Sequence, residues 1–376
     1  MKIAVFSDSY HPYLSGVVRS IDLFQEELNK KGVQFTFFIP AYGIKQKEKG
    51  VYRFYSLPAP TNKDFHLALP FSAKLYSTLR AEKVDIIHVH SPFLLGRLGQ
   101  KAGRKLNIPV VFTYHTLYEE YVHYFPFAQK TAKAITSWYT LKFANKCEAV
   151  VCPTEAIREY LLEKGLTSRT EVIPTGIDLQ PFFKADRNFL KDHLKINDQK
   201  VCLFVGRVAP EKNVDFLLDS FKIVAEKVNN VVLVVVGGGP ELTHYIKKAE
   251  QFGLGEKVKF IGPVSPEEVP QYYAGADLFL FPSVTETQGI VFAEAKAAGL
   301  PTVGVRAFGS KSMVFEGIDG FLTSLNTKEY AEKVIYLLEQ DELRKKFSSN
   351  ARQNAQMFSK EYTAKLMYKL YQSLLK

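Results

Sequence analysis

Four short runs join charge, glycine and strand-like neighbours in ways that suit a phosphorylated ligand. In Phe204-Val205-Gly206-Arg207-Val208-Ala209-Pro210-Glu211-Lys212-Asn213, a glycine closes an apolar run and two cations follow, five residues apart. Arginine brings a planar fork of donors and lysine a compact charge, a pair that suits a diphosphate. The competing reading is a surface ion pair. Both cations stand just beyond a strand, which favours the anion site. In Phe281-Pro282-Ser283-Val284-Thr285-Glu286-Thr287-Gln288-Gly289-Ile290, Glu286 precedes a glycine at which a helix can open, and Glu294 follows eight residues after Glu286. The N–H groups of a helix start attract anions. Glu294 shares an otherwise apolar helix with Ile290, Val291, Phe292, Ala293 and Ala295. A carboxylate buried there needs donors, and sugar or ribose hydroxyls supply them.

The other two runs are weaker alone. His115 directly follows a strand candidate, a position equally compatible with a structural and a functional histidine. Tyr10-His11-Pro12-Tyr13-Leu14-Ser15-Gly16-Val17 places Gly16 where backbone can approach a ligand, although an ordinary strand-to-helix turn explains it as well. The same holds for Gly237-Gly238-Gly239. No Asp-x-Asp pair stands at a strand end and no His/Asp/Glu cluster has ligand spacing, so no catalytic metal held by such a motif is expected. No Gly-Lys-Ser/Thr loop suggests nucleotide hydrolysis.

The elements that must position these residues form two series. Apolar runs at 2–6, 34–39, 86–89, 110–114, 149–152 and 170–173 alternate with amphipathic stretches such as 18–31. A second series, at 201–205, 231–236, 258–261, 278–281 and 302–305, begins near Lys200. Strand–helix alternation of this kind predicts parallel sheets covered on both faces. The predicted fold is α/β with two Rossmann-like, doubly wound domains facing across a cleft. Residues 1–175 form the first domain, 176–198 a linker, 199–358 the second domain, and 359–376 a basic amphipathic C-terminal helix.

With 376 residues, 46% apolar and 23% charged, the chain suits two globular domains. Three cysteines provide no disulfide framework and fit a reducing compartment. No stretch reaches the length of a membrane-spanning helix. The net charge is +10, and residues 1–146 hold 20 basic and 10 acidic side chains, so the whole excess lies there. An anionic surface would meet that part first; a solvated basic face is the alternative. Residues 64–80 and 128–146 mix large apolar side chains with lysine and arginine, as lipid-docking segments do, or as core-facing amphipathic helices do. A pI near 9.2 raises nucleic-acid binding, but no motif with stacking aromatics supports it.

Taken together, Gly206-Arg207-Val208 with Glu211-Lys212-Asn213, Pro282-Ser283, Glu286 with Glu294-Ala295, Gly299-Leu300-Pro301-Thr302, Ile173-Pro174-Thr175-Gly176-Ile177-Asp178 and the opening with Pro12 and Gly16 resemble the family 4 retaining glycosyltransferases of GT-B fold. Tyr114-His115-Thr116-Leu117-Tyr118-Glu119-Glu120-Tyr121-Val122-His123-Tyr124 and Thr285-Glu286-Thr287-Gln288-Gly289 are similar to bacterial diacylglycerol glucosyltransferases. The resemblance implies that Arg207 and Lys212 neutralise the donor diphosphate and Glu286 binds donor-sugar hydroxyls. It places Glu294 at the ribose, His115 near the reacting carbon, Gly16 at the pyrophosphate and Val264 at the base. Thr287, Gln288, Gly289 and Ile290 complete the donor-binding set, and the tail helix returns to the first domain. Ser15, where many members carry glycine, and the shorter Ala307–Ser312 stretch depart from the pattern and leave the donor sugar less defined.

The function so implied is a hexosyltransferase moving glucose from UDP-glucose to 1,2-diacylglycerol, with retention. The UDP-sugar is a substrate and no cofactor is expected. The expected partners are the donor, a diacylglycerol-type lipid acceptor and an anionic membrane surface, without nucleic acid. The expected location is cytoplasmic and peripheral, on the inner face of the cell membrane. Alternatives are another donor sugar, another acceptor (a phosphoinositol lipid, a sugar or a small molecule), a nucleotide-sugar epimerase of similar fold, or a binding protein.

Overall fold

The structure, a computed structural model, describes residues 1–46, 48–60, 62–118, 129–196 and 198–375. The chain forms two compact units, Met1–Gly176 with Lys360–Lys376, and Ile177–Ser359.

The first unit contains β1 (Lys2–Phe6), β2 (Gln34–Pro40), β3 (Val51–Phe54), β4 (Ser56–Ala59), β5 (Asn62–Ala68), β6 (Ile86–Val89), β7 (Val110–Thr113), β8 (Ala149–Cys152) and β9 (Arg169–Val172). Seven of these make one sheet in the order β3-β2-β1-β6-β7-β8-β9, while β4 and β5 form an antiparallel hairpin. The central strands are largely apolar because both faces are covered, with His88 on β6 and Thr113 on β7 as buried polar exceptions. Phe6, Phe38, Ile87, Val89 and Phe112 pack on one face. Ile3, Val5, Ile21, Leu28 and Ile39 pack on the other, where Met367, Leu370 and Tyr371 of the helix Lys360–Leu374 join them.

The second unit contains β10 (Lys200–Val205), β11 (Val231–Val236), β12 (Val258–Gly262), β13 (Leu278–Phe281), β14 (Thr302–Val305) and β15 (Gly320–Thr323), in the order β12-β11-β10-β13-β14-β15. Neighbouring strands in both large sheets are parallel. Each sheet reverses its direction of winding once, between β1 and β6 and between β10 and β13. Ligands in such sheets bind beyond the carboxyl ends of the strands at that reversal.

Three expectations differ from what is observed. Residues 177–196, read as linker, supply Ile177, Leu179, Phe182, Leu190 and Ile196 to the second core, since their apolar spacing needs burial more than the charges need water. Residues 64–80 divide into the end of β5, a loop and the helix Leu75–Ala81, which buries Leu75 and Leu79. β3 and β15 were not expected; both lie at sheet edges, where Arg53 and Gly320 are tolerated and the apolar signal weakens. Among the described residues, no helix is long and apolar enough to cross a membrane.

Candidate active site

In the second unit the loops after β10 and β13 flank the reversal and are stitched together. The Lys212 ammonium, at the end of a short 3-10 turn, pairs with the Glu286 carboxylate, both mostly buried. Ser283 donates its hydroxyl to Glu286 Oε1 at 3.1 Å and also to the backbone carbonyl of Glu211 at 3.2 Å. Asn213, in the left-handed region at φ 53°, donates from its side chain to the carbonyl of Pro282 at 3.1 Å. Arg207 is more exposed and pairs with Glu211 at 2.5 Å. Burial works to raise the Glu211 pKa, but its own backbone N–H and Arg207 outweigh that and lower it. Two cations are thus fixed on one side of the reversal, each oriented by a carboxylate.

The helix Ile290–Ala298 starts at this place, with Gly289 at its N-cap. Gly289 has φ +75°, and a Cβ there would stand 2.8 Å from the Phe292 ring, so glycine is required on both counts. Gly237 has φ +137°, and its missing Cβ would fall 1.9 Å from the carbonyl oxygen of Gly206. The glycine run therefore lets the loop after β11 lie against the loop that carries Arg207. Glu294, only 4% exposed, accepts from the Tyr273 hydroxyl at 3.1 Å. Two residues on, Lys296 forms a buried ion pair with Asp319, whose carboxylate also accepts from Asn354 at 2.7 Å. Burial lowers the Lys296 pKa against the opposing pull of Asp319. Gln288 is buried, while Thr287, Ile290 and Val264 are partly buried. Val264 lies beyond β12 and packs against the second core.

Gly16 and His115 belong to the first unit. Gly16 opens the helix Gly16–Asn29, and the Ser15 hydroxyl accepts from the Val18 N–H at 3.3 Å. The serine at this position is a working helix cap. His115, after β7, shares a hydrogen bond with His90, Nε2 to Nδ1 at 2.9 Å. Burial holds the His115 pKa down to about 4. Asp8, just after β1, is engaged through both oxygens: Ser91 donates to Oδ2, and the Leu95 N–H donates to Oδ1 at 2.7 Å. Burial raises its pKa against those two bonds. The carboxylate thereby caps the helix Leu94–Leu106, a structural task.

Sequence reasoning gave Glu211 and Ser283 no role of their own and missed Tyr273, His88 and His90. The signal for the last two was present: two imidazoles alternate at the end of the apolar run Ile86-Ile87-His88-Val89-His90, where polar groups need partners. Within the glucosyltransferase-like stretch 114–124, residues 119–124 lie outside the described residues, as do Ala128 and the side chain of Lys130.

Residues 14–181 match Glycosyltransferase Family 4 and residues 186–354 match Glycosyl transferases group 1. The structure superposes on that of Anabaena Alr3699/HepE in complex with UDP with a TM-score of 0.80, at 22% identity, over 99% of this chain and 100% of that one. The fold is therefore that of the GT-B glycosyltransferases. The chain is also 30% identical to the alpha-monoglucosyldiacylglycerol synthase of Acholeplasma laidlawii, over 100% of this chain and 98% of that protein. It is 34% identical to the alpha-monoglucosyldiacylglycerol synthase of Streptococcus pneumoniae, over 81% of this chain and 70% of that protein. The chain belongs to glycosyltransferase family 4 and is a hexosyltransferase.

Proposed function

We propose that the protein transfers glucose from UDP-glucose to 1,2-diacylglycerol at a membrane surface, with retention of the anomeric configuration. The observation that carries this reading is the pair of stitched loops at the β10/β13 reversal, where Lys212 pairs with Glu286 just before the helix start at Gly289 and Arg207 stands on the same loop as Lys212. It is supported by the likeness to two alpha-monoglucosyldiacylglycerol synthases.

The chemical difficulty is charge. As the bond between the sugar C1 and the phosphate oxygen breaks, negative charge gathers on the diphosphate and the ring becomes oxocarbenium-like. Cations and N–H groups held in place stabilise that charge without reorganising. Glu286 engages Lys212 and Ser283 through Oε1, which leaves Oε2 to accept from a donor-sugar hydroxyl. Glu294, oriented by Tyr273, accepts from the ribose hydroxyls, and Val264 meets the base. Neutral His115 contacts the transferred sugar near C1. The acceptor hydroxyl attacks from the face the diphosphate leaves, forming the new C1–O bond while its proton passes to the departing phosphate oxygen. This route requires no side-chain base and no metal ion.

The membrane part of the reading rests on the first unit. The hairpin and the loop after it expose Leu57, Leu67, Leu69 and Phe71, the last at 83%. The helix Gln129–Ala144 exposes Ile135 and Trp138, with the Lys142 ammonium 4.6 Å from the Trp138 ring centroid. Apolar side chains beside an excess of lysine and arginine suit an anionic lipid surface. It is this surface that would hold the enzyme peripherally, on the cytoplasmic face.

The test is to incubate the protein with radiolabelled UDP-glucose and vesicles containing diacylglycerol and an anionic lipid. Label in the lipid phase, as an α-linked glucoside by proton coupling, is expected. A water-soluble product would reject the lipid acceptor, and a labelled epimer of the donor without transfer would reject the reaction.

A further inference from the structure

We propose that His90, held in turn by His88 and Tyr371, positions His115, so that the C-terminal helix is wired to the transfer site. The inference rests on the reading that His115 meets the transferred sugar. Tyr371, on the helix Lys360–Leu374, shares a 2.6 Å hydrogen bond between its hydroxyl and His88 Nδ1, across 283 residues of sequence. His88 Nε2 is 2.7 Å from the Thr113 hydroxyl on β7. The His88 and His90 rings lie 4.1 Å apart at 31°, and His90 Nδ1 then meets His115 Nε2 at 2.9 Å. All these residues are in the first unit.

A neutral imidazole has one donor and one acceptor. Between two hydroxyls, His88 satisfies both, so its ring cannot rotate without losing a bond in the interior. His90 packs against that fixed ring at a tilt and, like it, is almost fully buried. In the bond between them one nitrogen donates and the other accepts, so the tautomers of His90 and His115 are coupled: the role that Nε2 of His115 takes leaves Nδ1 the other. Burial keeps the three rings neutral, lowering His88 to about 3 and His115 to about 4, with His90 well below its ordinary value and depressed further by its two histidine neighbours. Apolar side chains would fill the positions of His88 and His90 with no polar atoms to satisfy. What imidazole adds there is a directional bond that ends on His115.

The test uses the full chain labelled with 15N-histidine. Long-range proton–nitrogen spectra read the tautomer of His115, whose signal is assigned by its loss in His115→Ala. One tautomer is expected in the unmodified protein. In His90→Phe the nitrogen shifts should move toward the average of two tautomers, and kcat should fall about 10- to 100-fold while the KM for UDP-glucose changes less than about threefold. His90→Gln, which keeps a polar group in reach, should recover part of kcat. Tyr371→Phe removes one hydroxyl from a packed site and should act in the same direction, by about three- to tenfold. The inference is overturned if the His115 signals are unchanged in both His90→Phe and Tyr371→Phe, or if kcat falls only in proportion to the folded fraction. If His115→Ala itself keeps kcat, the assigned role of His115 fails, while the spectra still decide whether His90 sets its tautomer.

Discussion

The two units present their functional side chains through opposite kinds of chemistry. In the second unit the site is built from full charges, with Lys212 on Glu286 and Arg207 on Glu211, in short loops on neighbouring strands. In the first unit it is built from neutral rings and hydroxyls: Tyr371, His88 and Thr113 are joined by hydrogen bonds, His90 and His115 by another, and the two sets meet where the His88 and His90 rings touch. Under the proposed function, fixed charges suit the stabilisation of a developing anion, and neutral, directional groups suit an uncharged acceptor, beside which a buried cation would be costly. The same doubly wound sheet supports both, because its reversal point offers loop ends without dictating what they carry.

The largest expected effect breaks the charged side of this contrast. Lys212→Ala should lower kcat/KM for UDP-glucose by about 10²- to 10³-fold, the scale of losing one preorganised charge, whereas exposed Arg207→Ala should cost about tenfold; steady-state kinetics on vesicles measure both. Gly289→Ala should destabilise the second unit by about 1–3 kcal/mol in urea denaturation, from left-handed strain and the Phe292 contact. Glu294→Gln should weaken UDP-glucose binding about tenfold by calorimetry, since one charge-assisted acceptor is lost.

The neutral side is sharpened by pH. His88 and His115 have pKa values lowered below their unfolded values, to about 3 and about 4, so they resist protonation when folded. Their contribution is fully present above about pH 6.5 and is lost as pH falls toward 4. Asp8, raised by burial, works in the opposite sense, so its protonation offsets part of the loss. Thermal unfolding followed between pH 7.5 and about 4 should show the first unit weakening on acidification. The smallest effect concerns the surface. Leu69→Ser with Phe71→Ser should reduce co-sedimentation with anionic vesicles several-fold, while stability changes by less than about 0.5 kcal/mol, because both side chains are exposed.

Much of the second site was legible. Arg207, Lys212, Glu286, Gly289 and Glu294 stand at strand ends or on the following helix, where strand-to-helix periodicity predicts their place from fewer than ten neighbours. The partners were not legible. Glu211 holds Arg207 four residues away, but nothing local says that Ser283 and Thr285 reach back to its carbonyl. The core role of Leu179, Phe182 and Leu190 was hidden by the charges between them. The edge strands β3 and β15 were hidden because an edge need not be apolar on both faces.

By itself, the sequence determined the two strand series, the placement of the excess positive charge before residue 147, and the residue types at each strand end. These follow from short-range rules: period, breakers and backbone freedom act within a few residues. Only tertiary structure decided that Tyr371 reaches His88, that His90 meets His115, that Asp8 caps the helix Leu94–Leu106, and that Lys212 turns onto Glu286. Those pairings depend on which strands lie side by side. Sheet order is set by the burial of whole faces rather than by any local signal.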